Sequence, residues 1–132
     1  MSTNTNNKEE TCIFKDECYK IIGACMTVHK ELGNAFLEPV YQEALSIELK
    51  KQHIPYEQEK QLEIYYRGHL LNKKYIADFL CYHQIVVELK ATISLTDDHT
   101  AQALNYLSAL KLRMALLVNF GTSKLQWKRV IL

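Results

Sequence analysis

Long apolar runs, an apolar N-terminal segment and paired cysteines are all missing from this sequence. No stretch approaches the roughly 20 apolar residues that cross a bilayer, and the opening MSTNTNNKEE lacks the apolar region of a signal peptide. The cysteines show no C-x-x-C spacing, which excludes the common zinc and dithiol motifs. We therefore expect a soluble, cytoplasmic protein without a membrane partner. Its cysteines are expected to be small buried hydrophobic residues: Cys12, Cys18, Cys25 and Cys81.

A strong excess of one charge is missing too, because 16 Lys and Arg nearly balance 15 Asp and Glu for a formal net charge of +1. Proteins that coat DNA without sequence preference are usually far more basic. An enzyme that holds a short stretch of backbone needs just a local basic patch, so the charge balance does not exclude that class. The residues that could supply phosphate contacts are Lys50, Lys51, Lys73, Lys74, Lys111 and Arg113.

Length and composition predict a single domain. With 132 residues, of which 48% are hydrophobic and 23% charged, the chain can bury one ordinary core and has no room for two. Residues 1–9 are rich in Asn, Ser and Thr and offer nothing apolar to bury. We predict a disordered tail over residues 1–9 and one domain over residues 10–132.

Apolar residues at three- and four-residue steps predict three helices. The first begins near residue 11 and ends at a glycine cap, Gly33. The second runs from residues 37–39 to about 52, because proline is tolerated in a first turn. The third is capped by Thr96, carries two acidic residues in its first turn, and continues to about residue 111. The predicted buried stripe of the second helix is Leu37, Val40, Ala44 and Ile47.

Segments rich in β-branched and aromatic residues predict strands between and after these helices, so the fold class is α/β. The clearest hairpin joins residues 75–82 to residues 85–90. The nearly all-apolar run at 114–120 is typical of a strand buried on both faces. The predicted strands cover residues 57–66, 70–74, 75–82, 85–90, 114–120 and 127–132, with a turn at 67–69 between the first two and the last strand at a sheet edge.

Charged residues interrupt the apolar pattern of this hairpin. In I-V-V-E-L-K, Glu88 and Lys90 share one face because side chains alternate along a strand. In the preceding strand, Y-I-A-D-F-L-C-Y, the Asp78 side chain lies on the same face as Glu88 and Lys90 in one of two hairpin registers. A two-residue turn pairs Asp78 with Leu89 and turns it away, whereas a three-residue loop at residues 82–84, or a bulge, pairs it with Glu88.

Two carboxylates and a lysine suit the hydrolysis of a phosphodiester bond. Asp78 and Glu88 can hold a hard divalent ion such as Mg²⁺, which activates a bound water and screens charge on the phosphate. Lys90 can orient or deprotonate the attacking water. A Glu-x-Lys pair on a strand is also typical of a solvated ion pair, so a purely structural ion-pair network is a competing interpretation.

The segment V-H-K-E-L-G-N-A-F-L-E-P-V-Y-Q-E-A-L, which contains Glu38 and Tyr41, resembles the signature of the GxxExxY proteins. That group is assigned to the PD-(D/E)XK nuclease superfamily. The resemblance implies a restriction-endonuclease-like core with a mixed central sheet flanked by helices. It covers about residues 20–132 and continues through residues 76–79, 86–91, the helix with Gln102, and residues 116–120.

The resemblance also implies a metal site, position by position. Asp78 looks like the first acidic ligand, and Glu88 and Lys90 look like the acid and lysine of the (D/E)XK pair. Glu38 looks like the helix-borne acid that often completes such a site. The implied cofactor is Mg²⁺ or Mn²⁺, with Glu38, Asp78 and Glu88 as its ligands.

On the third helix, Gln102 and Tyr106 are similar to the Q-x-x-x-Y element of the exonuclease branch, where it supports the site and the DNA end. The implied function is a metal-dependent nuclease, with nucleic acid as partner and DNA expected first. A homo-oligomer is compatible with the sequence. The alternative is a noncatalytic descendant that binds nucleic acid or protein, because so small a chain leaves little beyond its core to grip a substrate.

Two positions depart from the family pattern. Ala35 stands at the first glycine of the motif, where a turn that needed a positive φ would disfavour alanine by roughly 1 kcal/mol. Ala77 replaces the proline before Asp78, which matters little for metal binding. His29 is also part of the pattern, and because no residue at metal-ligand spacing accompanies it, we predict a packing or hydrogen-bonding role.

Overall fold

A mixed sheet is the centre of this computed structural model, which describes residues 13–132. The elements in chain order are α1 (Lys15–Leu32), α2 (Glu38–Lys51), β1 (Tyr56–Leu62), β2 (Tyr65–Tyr66), β3 (His69–Leu70), β4 (Tyr75–Cys81), β5 (Ile85–Lys90), α3 (Asp97–Leu110), β6 (Met114–Asn119) and β7 (Gln126–Ile131). Strand order along the sheet is β1-β4-β5-β6-β7, and a two-stranded ribbon, β2-β3, stands apart from it.

The connection from β5 through α3 to β6 makes the sheet mixed. A parallel strand pair needs a long crossover, and α3 provides it between β5 and β6. The other neighbours in the sheet, β1 with β4, β4 with β5, and β6 with β7, run antiparallel. The α/β core predicted from the sequence, a mixed sheet flanked by helices, is confirmed.

Helices cover both faces of this sheet and create two apolar layers. Phe79, Val87 and Leu116 face α1 and α2, whereas Val86 and Leu117 face α3. Residues of β6 point into both layers and are buried throughout, as expected for a strand covered on both sides. The sheet is thus a rigid platform, with its hairpin β4-β5 near the middle.

Most of the buried stripe predicted for α2 is wrong. Leu37, Val40 and Ile47 are exposed, and only Ala44 of the predicted set packs against the core, where it is partly buried. The helix instead buries Tyr41, Leu45 and Leu49. The predicted set repeats at three- and four-residue steps and the observed set at four-residue steps, so a helical period fits both. The choice is made by packing, because the Tyr41 ring stacks on Phe120 at 4.6 Å between ring centroids.

The segment between β1 and β4 also differs from prediction. The strand predicted at 57–66 is divided into β1, which ends at Leu62, and the short strand Tyr65–Tyr66. The return strand predicted at 70–74 is reduced to His69–Leu70. The turn is tighter than the predicted residues 67–69. Its two central residues, Arg67 and Gly68, have φ values of 48° and 80°, as type I′ hairpin turns require.

Several local predictions agree with the structure. Gly33 caps α1 with φ 79°, and the side chain of Thr96 accepts a hydrogen bond from the backbone N–H of His99 at the start of α3. The described cysteines are buried: Cys18, Cys25 and Cys81. Among the helices described, none combines the length and apolarity of a bilayer crossing.

The predictions for the N-terminus concern residues that are not described. The disordered tail at 1–9, the helix start near residue 11 and the burial of Cys12 lie outside residues 13–132, and α1 begins at Lys15. The single domain over residues 10–132 and the cytoplasmic location stay predictions.

Candidate functional site

The β4-β5 hairpin adopts the register that brings Asp78 and Glu88 together. The ladder pairs Phe79 with Val87, and the same register continued by one residue sets Asp78 across from Glu88. The connection is the three-residue loop at 82–84, whose first two residues have φ values of 54° and 59°. The alternative with a two-residue turn is wrong, and the register that the metal-site prediction required is present.

The backbone pairing of β4 with β5 ends just before Asp78. There the Asp78 side chain, instead of a backbone carbonyl, accepts the hydrogen bond from the opposite strand. Oδ2 accepts a hydrogen bond from the backbone N–H of Leu89 at 2.8 Å, and Oδ1 accepts one from Nε2 of Gln42 at 3.2 Å. The carboxylate therefore ties β4 to β5 and to α2 at the same time. Sequence reasoning did not single out Gln42, because a contact between elements so far apart leaves no local pattern.

An irregularity in β4 aims Asp78 toward α2. Residues two apart on a regular strand share a face, yet Ala77 packs in the α3 layer and Phe79 in the α1–α2 layer. The β1-β4 ladder pairs Gln58 with Phe79 and Lys60 with Ala77, and Glu59 between them has φ 50°. Such a bulge-like break re-aims a side chain.

Asp78 lines a small cleft with acids from two other elements. Glu38 comes from the first turn of α2, and Glu59 comes from the irregular point of β1. The cleft has a volume of about 230 Å³. Its lining residues are Glu38, Pro39, Gln42, Glu59, Asp78 and Leu89.

Glu88 is held from the opposite side, by aromatic residues. Its Oε1 accepts a hydrogen bond from the hydroxyl of Tyr75. The Tyr75 ring stacks on Tyr106 of α3, with 3.8 Å between ring centroids and 21° between planes. Tyr106 therefore reaches the site through Tyr75, whereas Gln102, one turn earlier on α3, is exposed. Tyr75 was not among the residues predicted from the sequence, although it opens the strand that carries Asp78.

Asp78 and Glu88 lie across from one another in the hairpin register, although they are held toward different helices. Burial raises the pKa of Glu88, its hydrogen bond from Tyr75 opposes the rise, and the charge of Asp78 adds to it, so that the pKa reaches about 7. Burial also raises the pKa of Asp78, opposed by the Leu89 N–H and by the charge of Lys90. Lys90 thus acts on both acids, yet both pKa values stay above their ordinary range. A bound cation would stabilise the charged form of both acids.

Carboxylate oxygens are the donors that Mg²⁺ and Mn²⁺ prefer, so the chemistry of Asp78 and Glu88 fits a divalent ion. The geometry of a three-acid site is not assembled. Within residues 13–132 there is no group of three or more His, Cys, Asp or Glu side chains spaced to hold a metal ion. Glu38 and Asp78 line the cleft, and Glu88 is engaged by Tyr75. The ligand set Glu38, Asp78 and Glu88 stays a prediction.

The loop that leads to Glu38 is anchored by Tyr41. Its hydroxyl donates to the carbonyl oxygen of Gly33 at 2.6 Å and accepts from the N–H of Phe36 at 3.3 Å. The positive φ of this loop falls on Gly33, and Ala35 lies outside the left-handed region. The alanine at the position where the resembled motif has glycine therefore costs no backbone strain.

A buried asparagine secures the chain just after Lys90. Asn119 is fully buried beside Lys90 in the β5-β6 register. Its Oδ1 accepts from the N–H groups of Thr92 and Gly121, and its Nδ2 donates to the Thr92 carbonyl. Gly121 lies so close that an added Cβ would stand 2.5 Å from that carbonyl oxygen. The sequence signal was Asn119 itself, a polar residue inside an apolar run.

His29 contributes to packing rather than to the acidic site. Its Nε2 is 2.9 Å from the carbonyl oxygen of Thr122, and its ring lies 6.0 Å from that of Phe120. The hydrogen-bonding role predicted for His29 is confirmed.

Comparison with known proteins yields one family. The family described as the PD-(D/E)XK nuclease superfamily matches residues 15–130. Among solved structures, the crystal structure of SSO0001 is similar, with a TM-score of 0.57 and 22% identity over 70% of this chain and 48% of that chain. At that identity the likeness shows the fold, which agrees with a restriction-endonuclease-like core. This chain thus matches about half the length of SSO0001. No curated protein matches significantly.

Proposed function

This chain belongs to the PD-(D/E)XK nuclease superfamily, and from that premise we propose that it is a metal-dependent nuclease that hydrolyses phosphodiester bonds of nucleic acid. The observation that supports this best is the pairing of Asp78 with Glu88 beside Lys90. Burial raises the pKa of both carboxylates, the charge of Asp78 raises the pKa of Glu88 further, and the charge of Lys90 lowers both pKa values. A structural ion-pair network would favour balanced charge instead. We also assign the chain to the GxxExxY branch, on Glu38 and Tyr41.

In this proposal Asp78 and Glu88 hold Mg²⁺ or Mn²⁺, and Glu38 of α2 completes the ligand set. When bound, the ion would supply an activated water and take up charge on the scissile phosphate. Gln42 and the Leu89 N–H fix the Asp78 carboxylate, so that it is already oriented toward the cleft. This fixed orientation removes a cost of reorganisation when substrate binds.

Lys90 and the aromatic pair have separate roles. The Lys90 ammonium orients the attacking water and stabilises negative charge on the phosphate, and Lys90 could deprotonate that water only as the neutral amine. Tyr75 holds the Glu88 carboxylate by a hydrogen bond until that carboxylate binds the ion, and the Tyr106 ring of α3 supports Tyr75 by stacking on it. Gln102 is exposed on the same helix, where we propose that it contacts substrate rather than the acids.

A second candidate is a noncatalytic relative that binds nucleic acid without cleaving it. The observation that favours it is the absence, within residues 13–132, of an assembled group of three metal-binding side chains. The hydrogen bond from Tyr75 also occupies Glu88. In this candidate the acids would be remnants that keep β4, β5 and α2 together.

One experiment separates the two candidates. Purified protein is incubated with single- and double-stranded DNA and RNA in Mg²⁺ or Mn²⁺, beside Asp78→Ala and Lys90→Ala. Glu59→Gln is the matched control, because Glu59 lines the same cleft but is not a proposed ligand. The nuclease proposal predicts cleavage that both alanine variants lose and the control keeps. Cleavage that survives both substitutions would mean a contaminant or another site, and binding without cleavage would favour the noncatalytic candidate.

A further inference from the structure

We propose that the β2-β3 ribbon is a contact surface for unpaired nucleotides, on which one base stacks against Tyr66 while Arg67 and His69 contact the adjoining backbone. This inference rests on the proposed function, because it names the class of substrate that the acidic site would receive. The ribbon is not part of the central sheet, and the acidic site does not account for it.

The ribbon is short but well defined. Tyr65 pairs with Leu70 and Tyr66 with His69, and the N–H of Leu71 donates to the carbonyl of Ile64 at 2.9 Å below them. The Arg67-Gly68 turn has the positive φ values whose twist suits a two-residue hairpin. A hairpin tip that already has this conformation loses less conformational freedom when it binds a ligand.

The two tyrosines of the ribbon are equally exposed, at 58% for Tyr65 and 61% for Tyr66. They point to opposite faces, because successive side chains alternate along a strand. Tyr66 shares its face with His69, and the Arg67 guanidinium lies 5.7 Å from the Tyr66 ring centroid. This face presents an aromatic ring beside two nitrogen donors, which are the groups that bind bases and phosphates.

The other face has different chemistry. Tyr65 shares it with Leu70, and its hydroxyl donates to Oε2 of Glu63 at 3.0 Å. A carboxylate at that position repels phosphate. Tyr65 is therefore a control for Tyr66 in the same strand, with the same side chain and the same exposure.

Charge around the ribbon complements a phosphate backbone. Residues 64–74 contain Arg67, Lys73 and Lys74 and no Asp or Glu, whereas the whole chain carries a formal charge of just +1. Lys73 and Lys74 are exposed. This is a local basic patch of the kind that a short nucleic-acid contact needs.

The ribbon also lies near the acidic site along the chain. Tyr75 stands five positions after Leu70, and five fully extended residue steps span at most about 18 Å. Tyr75 in turn donates a hydrogen bond to Glu88. An exposed ring stacks on a base whose face is open, and inside a duplex both faces are covered by neighbouring bases. Sequence-tolerant stacking of this kind is typical of single-strand binding. The substrate inferred is therefore a single strand or an unpaired end.

Binding can be measured apart from cleavage. Fluorescence anisotropy with a short fluorescein-labelled single strand, and with a duplex of the same sequence, is recorded in EDTA for wild type, Tyr66→Ala, Tyr66→Phe and Tyr65→Ala. Unchanged thermal melting confirms that each variant folds. Tyr66→Ala is expected to weaken single-strand binding roughly tenfold, with a change below about twofold on the duplex. Tyr66→Phe keeps the stacking ring and is expected to match wild type, as is Tyr65→Ala.

Each other outcome overturns the inference. Equal losses on single strand and duplex would exclude stacking on an unpaired base, and no loss in Tyr66→Ala, or no binding by wild type, would exclude the ribbon as a contact. Equal loss in Tyr65→Ala would show that binding does not depend on the face that carries Tyr66, and would exclude the proposed stacking on that face. Failure of the nuclease proposal is distinguishable, because it would leave the tyrosine-dependent binding intact and show no cleavage when Mg²⁺ or Mn²⁺ is added.

Discussion

The hydroxyl of Tyr75 donates a hydrogen bond to Oε1 of Glu88, and the same tyrosine stacks on Tyr106 of α3. Tyr75 therefore connects α3, which packs on one face of the sheet, to Glu88 in the central strand β5. The opposite acid, Asp78, is connected to α2 through Gln42. The two carboxylates are thus held by helices on opposite faces of the sheet, and Lys90 acts on both.

The first prediction concerns Tyr75. Tyr75→Phe removes a hydrogen bond to a carboxylate but keeps the stack on Tyr106, and is expected to lower the free energy of unfolding by about 1–2 kcal/mol. Tyr75→Ala loses the stack as well and is expected to cost about 3 kcal/mol. Urea denaturation in EDTA measures both. Equal losses for the two variants would mean that the ring contributes nothing, contrary to the contact with Tyr106.

The second prediction follows from the raised pKa of Glu88. An unfolded glutamate loses its proton near pH 4.5, whereas the folded protein keeps this proton until the pKa of Glu88, about 7. Between these values the folded state binds more protons, so metal-free stability falls as pH rises. Glu88→Gln has no charge to bury and is expected to exceed wild type in unfolding free energy by about 2 kcal/mol at pH 8. The residue is part exposed, so this is less than the full pKa difference implies.

At pH 4 the advantage of Glu88→Gln is expected to vanish, because Glu88 is then protonated in both states. Denaturation curves at pH 4 and pH 8 in EDTA check this difference. An advantage of the same size at both values would show that the carboxylate charge is not the cause.

The third prediction concerns metal binding. Mn²⁺ added at pH 8 is expected to raise the melting temperature of wild type, because an ion that binds the folded state stabilises it. Asp78→Asn and Glu88→Gln each remove a ligand charge and are expected to lose most of this increase, whereas Glu59→Gln keeps it. Differential scanning calorimetry with and without Mn²⁺ provides the measurement. The same increase in all four proteins would place the ion elsewhere.

The fourth prediction concerns the chain that follows Lys90. Gly121→Ala would press a methyl group against the Thr92 backbone, and is expected to destabilise the protein by about 1–3 kcal/mol. Asn119→Ala leaves the Thr92 and Gly121 N–H groups without their acceptor and is expected to cost about 2–4 kcal/mol. Urea titration checks both variants, with Ser123→Ala at an exposed position as control. Wild-type stability in Asn119→Ala would contradict the anchoring role.

Features that depend on the local sequence pattern could be predicted, whereas features that depend on loop conformation or on contacts between distant residues could not. Strand composition located the β4-β5 hairpin, but its register depended on the backbone of Tyr82 and His83, where left-handed φ values create a three-residue loop. No periodic pattern reports such a loop. The α2 stripe was wrong for a related reason, because two apolar sets fit the helical period and the stack of Tyr41 on Phe120 selects one.

The candidate site shows the same division. Asp78, Glu88 and Lys90 could be predicted because charged residues within apolar strands stand out. Tyr75 and Gln42 could not, since their importance comes from single hydrogen bonds to residues 13 and 36 positions away. An aromatic residue at the start of a strand and a glutamine on a helix are both common, and no sequence pattern marks them as neighbours of the two acids.

The most direct test of the central claim is the single-turnover rate of cleavage of a labelled single strand in Mn²⁺, for wild type and Lys90→Met. Methionine keeps the apolar stem of lysine and removes its charge. If Lys90 acts on the attacking water and the phosphate, Lys90→Met keeps the Mn²⁺-induced rise in melting temperature and cleaves at least about 100-fold more slowly. Cleavage by Lys90→Met at the wild-type rate would exclude that role for Lys90.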